Sequence, residues 1–133
     1  NIWVSGRYFF QYPETHINQD WVARFRKRWN HYPAYVSETG YSTMYAFKKA
    51  VEMAGSKDTA KVINAMEGMM LASPAGYRNF RKEDHQAMYD VPWGLTRTDA
   101  KYPFKVMGKK VLVPAKQCFN RPPFEGPETT PPF

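Results

Sequence analysis

Tyr35-Val36-Ser37-Glu38-Thr39-Gly40-Tyr41-Ser42-Thr43-Met44-Tyr45-Ala46-Phe47-Lys48-Lys49-Ala50-Val51-Glu52-Met53-Ala54-Gly55-Ser56-Lys57-Asp58 is the stretch on which the architecture turns. It reads as a capped amphipathic helix, a glycine stop and the cap of a second helix. Ser37 is the expected cap, with Glu38 at the positive end of the helix. Tyr41, Met44, Tyr45, Lys48, Val51 and Glu52 recur at helical spacing, and Ala46, Ala50, Met53 and Ala54 extend the buried side. Gly55 supplies the left-handed residue that a β-carbon would penalise. Ser56 or Asp58 then caps a short helix with Val62, Ile63 and Met66 inward, ended by Gly68.

Before this stretch, Ile2 to Val4 and Tyr8 to Phe10 carry strand formers, and Pro13 closes the segment. Thr15 or Asn18 caps another helix, with Asp20 suited to its first turn and Trp21, Val22, Phe25 and Trp29 on one apolar face. That helix is expected to stop near Asn30-His31, ahead of Pro33. After Gly68 the pattern changes to strands. Ser73-Pro74-Ala75-Gly76 is a turn and Tyr77 to Phe80 alternates. Arg81 to Asp84 is a polar turn before a strand over Gln86 to Trp93. Phe104 to Met107 and Lys110 to Val113 are expected to pair as a hairpin across Gly108. From Pro114 onward proline and polar residues accumulate, and an extended tail is expected.

The 133 residues carry a formal net charge of +7, which raises the question of nucleic acid. The cations are dispersed: Arg24, Arg26, Lys27 and Arg28 on one helix, Lys48 and Lys49 on another, Lys109-Lys110 near the end. No RNP-like aromatic motif, zinc-finger spacing or phosphate loop accompanies them, so a solvated basic surface is expected and no nucleic-acid partner. Cys118 is the single cysteine and lacks the His and carboxylate pattern of a catalytic thiol. His16, His31 and His85 lack the short spacing of zinc ligands, so no metal is expected. No nucleophile, base and orienting partner can be assembled. No enzyme and no cofactor is expected. No apolar run approaches a membrane span, and no signal peptide can be read. A sheet built from these strands alone would keep long unpaired edges, so the chain reads as part of something longer.

The order of elements is the specific signal. An opening strand leads to Tyr8-Phe9-Phe10, then to a helix ending Phe25-Arg26-Lys27-Arg28-Trp29-Asn30-His31-Tyr32-Pro33. Tyr35 and Gly40-Tyr41 open the central helix, and Ala50-Val51-Glu52-Met53-Ala54-Gly55-Ser56 and Gly76-Tyr77-Arg78-Asn79-Phe80 complete the pattern. Over about residues 1 to 95 this resembles the carboxy-terminal third of a type I periplasmic solute-binding protein of the branched-chain amino acid ABC transporter class. One departure is Ser42-Thr43 after Tyr41, where the family often has small and acidic residues.

The resemblance implies an α/β fold that is part of a bilobed clamp, two Rossmann-like lobes joined by crossover strands. It places residues 1–72 as a crossover strand and part of the amino-terminal lobe. Residues 73–113 become a crossover and the last strands of the carboxy-terminal lobe, and 114–133 the tail. It also implies an exported, periplasmic component that closes on a small organic solute (an amino acid, amide or related acid). The implied partners are that solute, the remaining amino-terminal portion of the same protein and the membrane permease of an ABC importer. A sensory receptor with the same clamp is the alternative, and a small basic nucleic-acid-binding protein a remote one. Strand ends and helix starts face the crevice in open α/β sheets. The expected ligand contacts are therefore Tyr8 and Phe9 after the opening strand, and Tyr35, Val36 and Glu38 before the central helix.

Overall fold

The computed structural model describes residues 2–118. In chain order they form β1 (Trp3–Ser5), α1 (His16–Trp29), α2 (Tyr35–Ala54), α3 (Thr59–Met66), β2 (Met70–Ser73), β3 (Gly76–Phe80), β4 (Ala87–Met88), β5 (Val91–Arg97), β6 (Val106–Val113) and α4 (Ala115–Cys118). Two antiparallel sheets result, one ordered β1-β5-β6 and the other β2-β3-β4.

Local chemistry sets most helix ends. Thr15 accepts from the Asn18 amide at 3.2 Å, and Asp58 from the Lys61 amide at 3.1 Å, each satisfying an N-terminal donor that the helix leaves open. Asn30 and Gly55 close α1 and α2 in the left-handed conformation, at φ 55° and 56°. α2 departs from expectation at its start. Its N-cap is Ala34, with no side-chain bond, and the Ser37 and Glu38 amides both donate to the Ala34 carbonyl. Tyr35 and Val36 are thus the first residues of α2 rather than a lead-in, and Ser37 lies within its first turn. Asp20 lies beyond the first turn of α1 and pairs with Arg24 at 2.9 Å.

The buried stripe of α2 is Glu38, Ser42, Ala46 and Ala50, spaced every fourth residue. The small members let the helix approach closely, and Ala46 and Ala50 share a core with Val62 of α3, Met69 and Leu71 of β2. Met53, expected inward, is 56% exposed because it lies off that stripe. A second core collects Tyr8, Phe10 and Trp21, with Phe25, Tyr32, Tyr41 and Tyr102 packed around it.

Three strand expectations are corrected. Tyr8 to Phe10 is no strand: a tight turn over Phe9 to Tyr12, closed by the Tyr12 amide on the Phe9 carbonyl at 2.7 Å, turns the Tyr8 and Phe10 rings into the second core. The strand read over Gln86 to Trp93 is two strands in different sheets, broken at Tyr89-Asp90. Gly108 is no hairpin turn: β6 continues through it, pairing with β5 from Arg97↔Val106 to Val91↔Val113, with a bulge in the register between Thr96↔Met107 and Gly94↔Lys110. A β-carbon there would lie 2.9 Å from Arg97 Cδ and 3.1 Å from the Leu95 carbonyl, so the close approach favours glycine. Beyond Pro114 the described part of the expected tail is helical, as α4; residues 119–133 lie outside the described residues.

The division expected between residues 72 and 73 falls inside the β2–β3 hairpin, which pairs Met70↔Asn79 through Ser73↔Gly76. A turn of this length returns the chain to its own partner strand instead of carrying it across to another layer. The change of sheet comes later, between β4 and β5, where the chain joins β1.

Candidate functional site

Beneath α2 the two halves of its polar stripe meet an inward-facing arginine. Glu38 is fully buried, and its Oε2 pairs with Arg78 Nη2 of β3 at 2.5 Å. Ser42, one turn on, donates its hydroxyl to Glu38 Oε1 at 2.5 Å. Arg78 Nε donates to Ser73 Oγ at 3.4 Å, and Ser73 in turn donates to the Gly76 carbonyl at 2.8 Å. The guanidinium lies 4.8 Å from the centre of the Tyr89 ring. Burial of a charge is tolerated only when it is paired and hydrogen-bonded, and here both members are.

Tyr8 converges on the same centre. Its hydroxyl donates to Asn18 Oδ1 at 2.8 Å, while Asn18 Nδ2 donates to the Phe10 carbonyl at 3.0 Å and the Pro13 carbonyl at 2.9 Å. Burial pushes the Tyr8 phenol well above its ordinary range, and the nearby Glu38 carboxylate acts in the same direction. Tyr8 therefore stays a neutral donor.

Over this centre lies a groove of about 490 Å³. Arg7, the outer turns of α2 at Thr39, Thr43 and Phe47, the β3 residues Arg78 and Phe80, and Tyr89 supply its walls. Thr39 Oγ1 is buried there and finds no hydrogen-bond partner among the described residues. Arg7 is exposed and makes no ion pair among the described residues. Chemically this is an apolar and aromatic trough with a free guanidinium at one side, a held one at the base and an unused hydroxyl between them. Such a trough orients an anionic or strongly polar small molecule.

Of the residues singled out from sequence, Glu38 lies beneath the groove with Arg78, and Tyr8 is near enough for its phenol to feel the Glu38 carboxylate. Phe9 is half-buried against Phe10, with ring centres 5.1 Å apart. Tyr35 and Val36 are 52% and 62% exposed on the first turn of α2, apart from the groove. Arg7, Thr39, Arg78 and Tyr89 were missed. Two signals existed for them: Ser42 stands four residues after Glu38 on the same helix face, and Arg78 occupies an inward position in an alternating strand. A buried carboxylate and an inward arginine call for each other. Among the described residues no group of three or more His, Cys, Asp or Glu is placed to hold a metal ion.

The mixed α/β fold is shared with bilobed solute-binding receptors of the periplasmic binding protein type I class. The chain belongs to the periplasmic binding protein family, which it matches over residues 2–101. It is similar in structure to an ABC-type branched-chain amino acid transporter protein of Rhodopseudomonas palustris CGA009, at 32% identity and TM-score 0.80, over 87% of this chain and 31% of that one. An ABC transporter protein of Rhodopseudomonas palustris is 43% identical, with TM-score 0.56, over 61% of this chain and 25% of that one. The fold is shared with a solute-binding protein of Rhodopseudomonas palustris BisB5 in complex with 3,4-dihydroxybenzoic acid, at 19% identity and TM-score 0.75 over 85% of this chain and 31% of that one. No curated protein matches the chain. The chain thus spans about a third of the length of these bilobed type I structures or less. Solute binding within ABC transport systems, at an exported location, is the business of this family.

Proposed function

We propose that this chain forms part of the solute-capturing clamp of an ABC importer and that its groove takes a small carboxylate, amino acid or aromatic acid, for delivery to a membrane permease. The observation that carries this reading is the pairing of free Arg7 with pinned Arg78 across an aromatic trough. Glu38 neutralises Arg78, so the groove presents close to one net positive charge, supplied by Arg7, against a solute's carboxylate. Thr39 offers a hydroxyl to a polar substituent, and Phe47, Phe80 and Tyr89 cover apolar area. The aromatic acid bound by the Rhodopseudomonas palustris BisB5 relative supports this solute class.

On the same reading Tyr8 and Glu38 are positioning residues beneath the solute, while Phe9, Tyr35 and Val36, which lie outside the groove, contact the opposing lobe on closure. Residues 6–90 form one lobe's body, and β1, β5 and β6 are the segments leading to the other. Closure follows from solute contacts made to both lobes. No reaction is assigned to the chain.

The test is calorimetric titration of the protein with 3,4-dihydroxybenzoate, 4-hydroxybenzoate and leucine, with benzamide as the uncharged comparison. Arg7→Ala should weaken carboxylate binding about tenfold or more, the scale of one lost charge-assisted contact, with stability within about 0.5 kcal/mol of the parent. Equal affinity for carboxylate and amide, or an unaltered Arg7→Ala titration, overturns the charge argument.

A further inference from the structure

The walls of the Arg78 groove carry a charge imbalance that separates one kind of carboxylic acid from another. Arg7 and Arg78 line it, and among the described residues no Asp or Glu does. Arg7 is exposed and makes no ion pair among them. The carboxylate beneath is fully committed. Glu38 has no exposed surface; its Oε1 takes the Ser42 hydroxyl at 2.5 Å and its Oε2 takes Arg78 Nη2 at 2.5 Å. Acidic residues on the adjoining turns are engaged as well. Asp84 receives both contacts from Arg81, and Asp90 Oδ1 accepts from the Ala115 amide at 2.8 Å.

Other acceptors on the wall are neutral, such as the hydroxyls of Thr39 and Thr43 and the side-chain amide of Gln86. Thr39 stands apart, because its Oγ1 is buried and has no partner among the described residues. A buried hydroxyl in that state lowers stability until something bonds to it. Guanidinium groups only donate, whereas a hydroxyl both donates and accepts, so Thr39 can answer a group that the arginines cannot.

An α-amino acid carries its ammonium one carbon away from its carboxylate. Seating the carboxylate against Arg7 therefore brings the ammonium into the same cationic field. Neutral oxygens can accept from it, but no opposite charge on this wall offsets its desolvation. An acid without the ammonium meets no such cost.

We infer that this groove selects carboxylic acids that lack an α-ammonium, and that Thr39 reads a hydroxyl carried elsewhere on the solute. The inference rests on the proposal that the groove is the solute site and narrows the class it takes. Amino acids are rejected, and hydroxylated apolar acids are preferred.

Calorimetric titration with deaminated twins tests it. Leucine is compared with 4-methylpentanoate, and tyrosine with 3-(4-hydroxyphenyl)propanoate, each pair differing only by the amino group. Each amino acid should bind at least about tenfold more weakly than its twin, the scale of one unpaired charged donor. In turn, 3-(4-hydroxyphenyl)propanoate should bind about threefold to tenfold more tightly than 3-phenylpropanoate, the range of one net hydrogen bond. Thr39→Val, similar in shape but without the hydroxyl, should level that second ratio and leave the first, while Thr39→Ser should keep both. Melting of the solute-free protein supplies a readout independent of binding. Thr39→Val should melt no lower than the parent, since it removes an orphaned hydroxyl. An amino acid that binds as tightly as its twin overturns the exclusion of the ammonium. A phenol preference that survives in Thr39→Val, or a lowered melting point in that variant, overturns the role of Thr39. Acids that bind without discrimination refute this inference alone, whereas failure of every acid to bind refutes the solute-site reading beneath it.

Discussion

Removing Glu38 while leaving Arg78 in place is the most direct probe of the buried centre. Glu38 has no solvent-exposed surface and the Arg78 side chain is 9% exposed, so Glu38→Ala strands a guanidinium with only Ser73 and the Tyr89 ring for compensation. Breaking one side of such a pair costs about 3–5 kcal/mol. The Ser42 hydroxyl loses its acceptor as well, within the same range. For a chain of this length each kcal/mol moves the melting point by roughly 3–6 °C, so the midpoint should fall by about 9–30 °C. The companion variant Glu38→Met/Arg78→Leu removes both charges and refills the volume. It should be far milder, within about 1–2 kcal/mol of the parent, because neither desolvation penalty remains. Urea unfolding followed through Trp21, itself 4% exposed, reads both. Equal losses in the single and double variants would refute the reasoning, since the cost would then come from packing and not from an unpaired charge. A loss below about 1 kcal/mol in Glu38→Ala would show that water reaches Arg78.

Three further outcomes are expected. Asn18→Ala removes the acceptor of the Tyr8 hydroxyl and both donors that fasten the Phe10 and Pro13 carbonyls, and should lower unfolding free energy by about 2–4 kcal/mol in the same urea assay. Gly94→Ala puts a β-carbon into the Met107 side chain, 2.8 Å from its Sδ, and 3.1 Å from the Lys109 carbonyl; a loss of about 1–3 kcal/mol is expected, and a wild-type midpoint would show that β6 yields freely. Arg81 holds the Asp84 carboxyl below its ordinary range by a two-point contact, so this pair adds stability above the ordinary carboxylate pKa that disappears as pH falls through the lowered value. Melting temperature against pH should therefore drop less on acidification in Arg81→Leu than in the parent.

Periodicity and punctuation made the helices legible. Thr15, Asn30, Gly55 and Asp58 act within a few residues of themselves, so their roles as caps follow from local hydrogen bonding and backbone sterics. The turn at Ser73 to Gly76 was legible for the same reason, but the pairing of β2 with β3 across it was not. The start of α2 was not, because Ala34 caps it through backbone geometry and leaves no side-chain signature. The order of helices and strands carried the family, since it is preserved across much of the chain. Of the site, sequence offered Tyr8 and Glu38 through their positions at element ends.

What the amino-acid sequence determined alone was therefore the set of elements, most of their ends and the class of receptor to which they belong, all being properties of near neighbours or of their order. Tertiary structure decided which charges find one another. Glu38 and Arg78 stand forty residues apart and meet only because α2 lies across β3. It also decided that Gly108 marks a crossing of close strands and not a turn, because that depends on where Arg97 of β5 sits. A groove or a buried pair is a relation between distant segments, and its energy is set by the solvent their packing excludes, which no window along the chain contains.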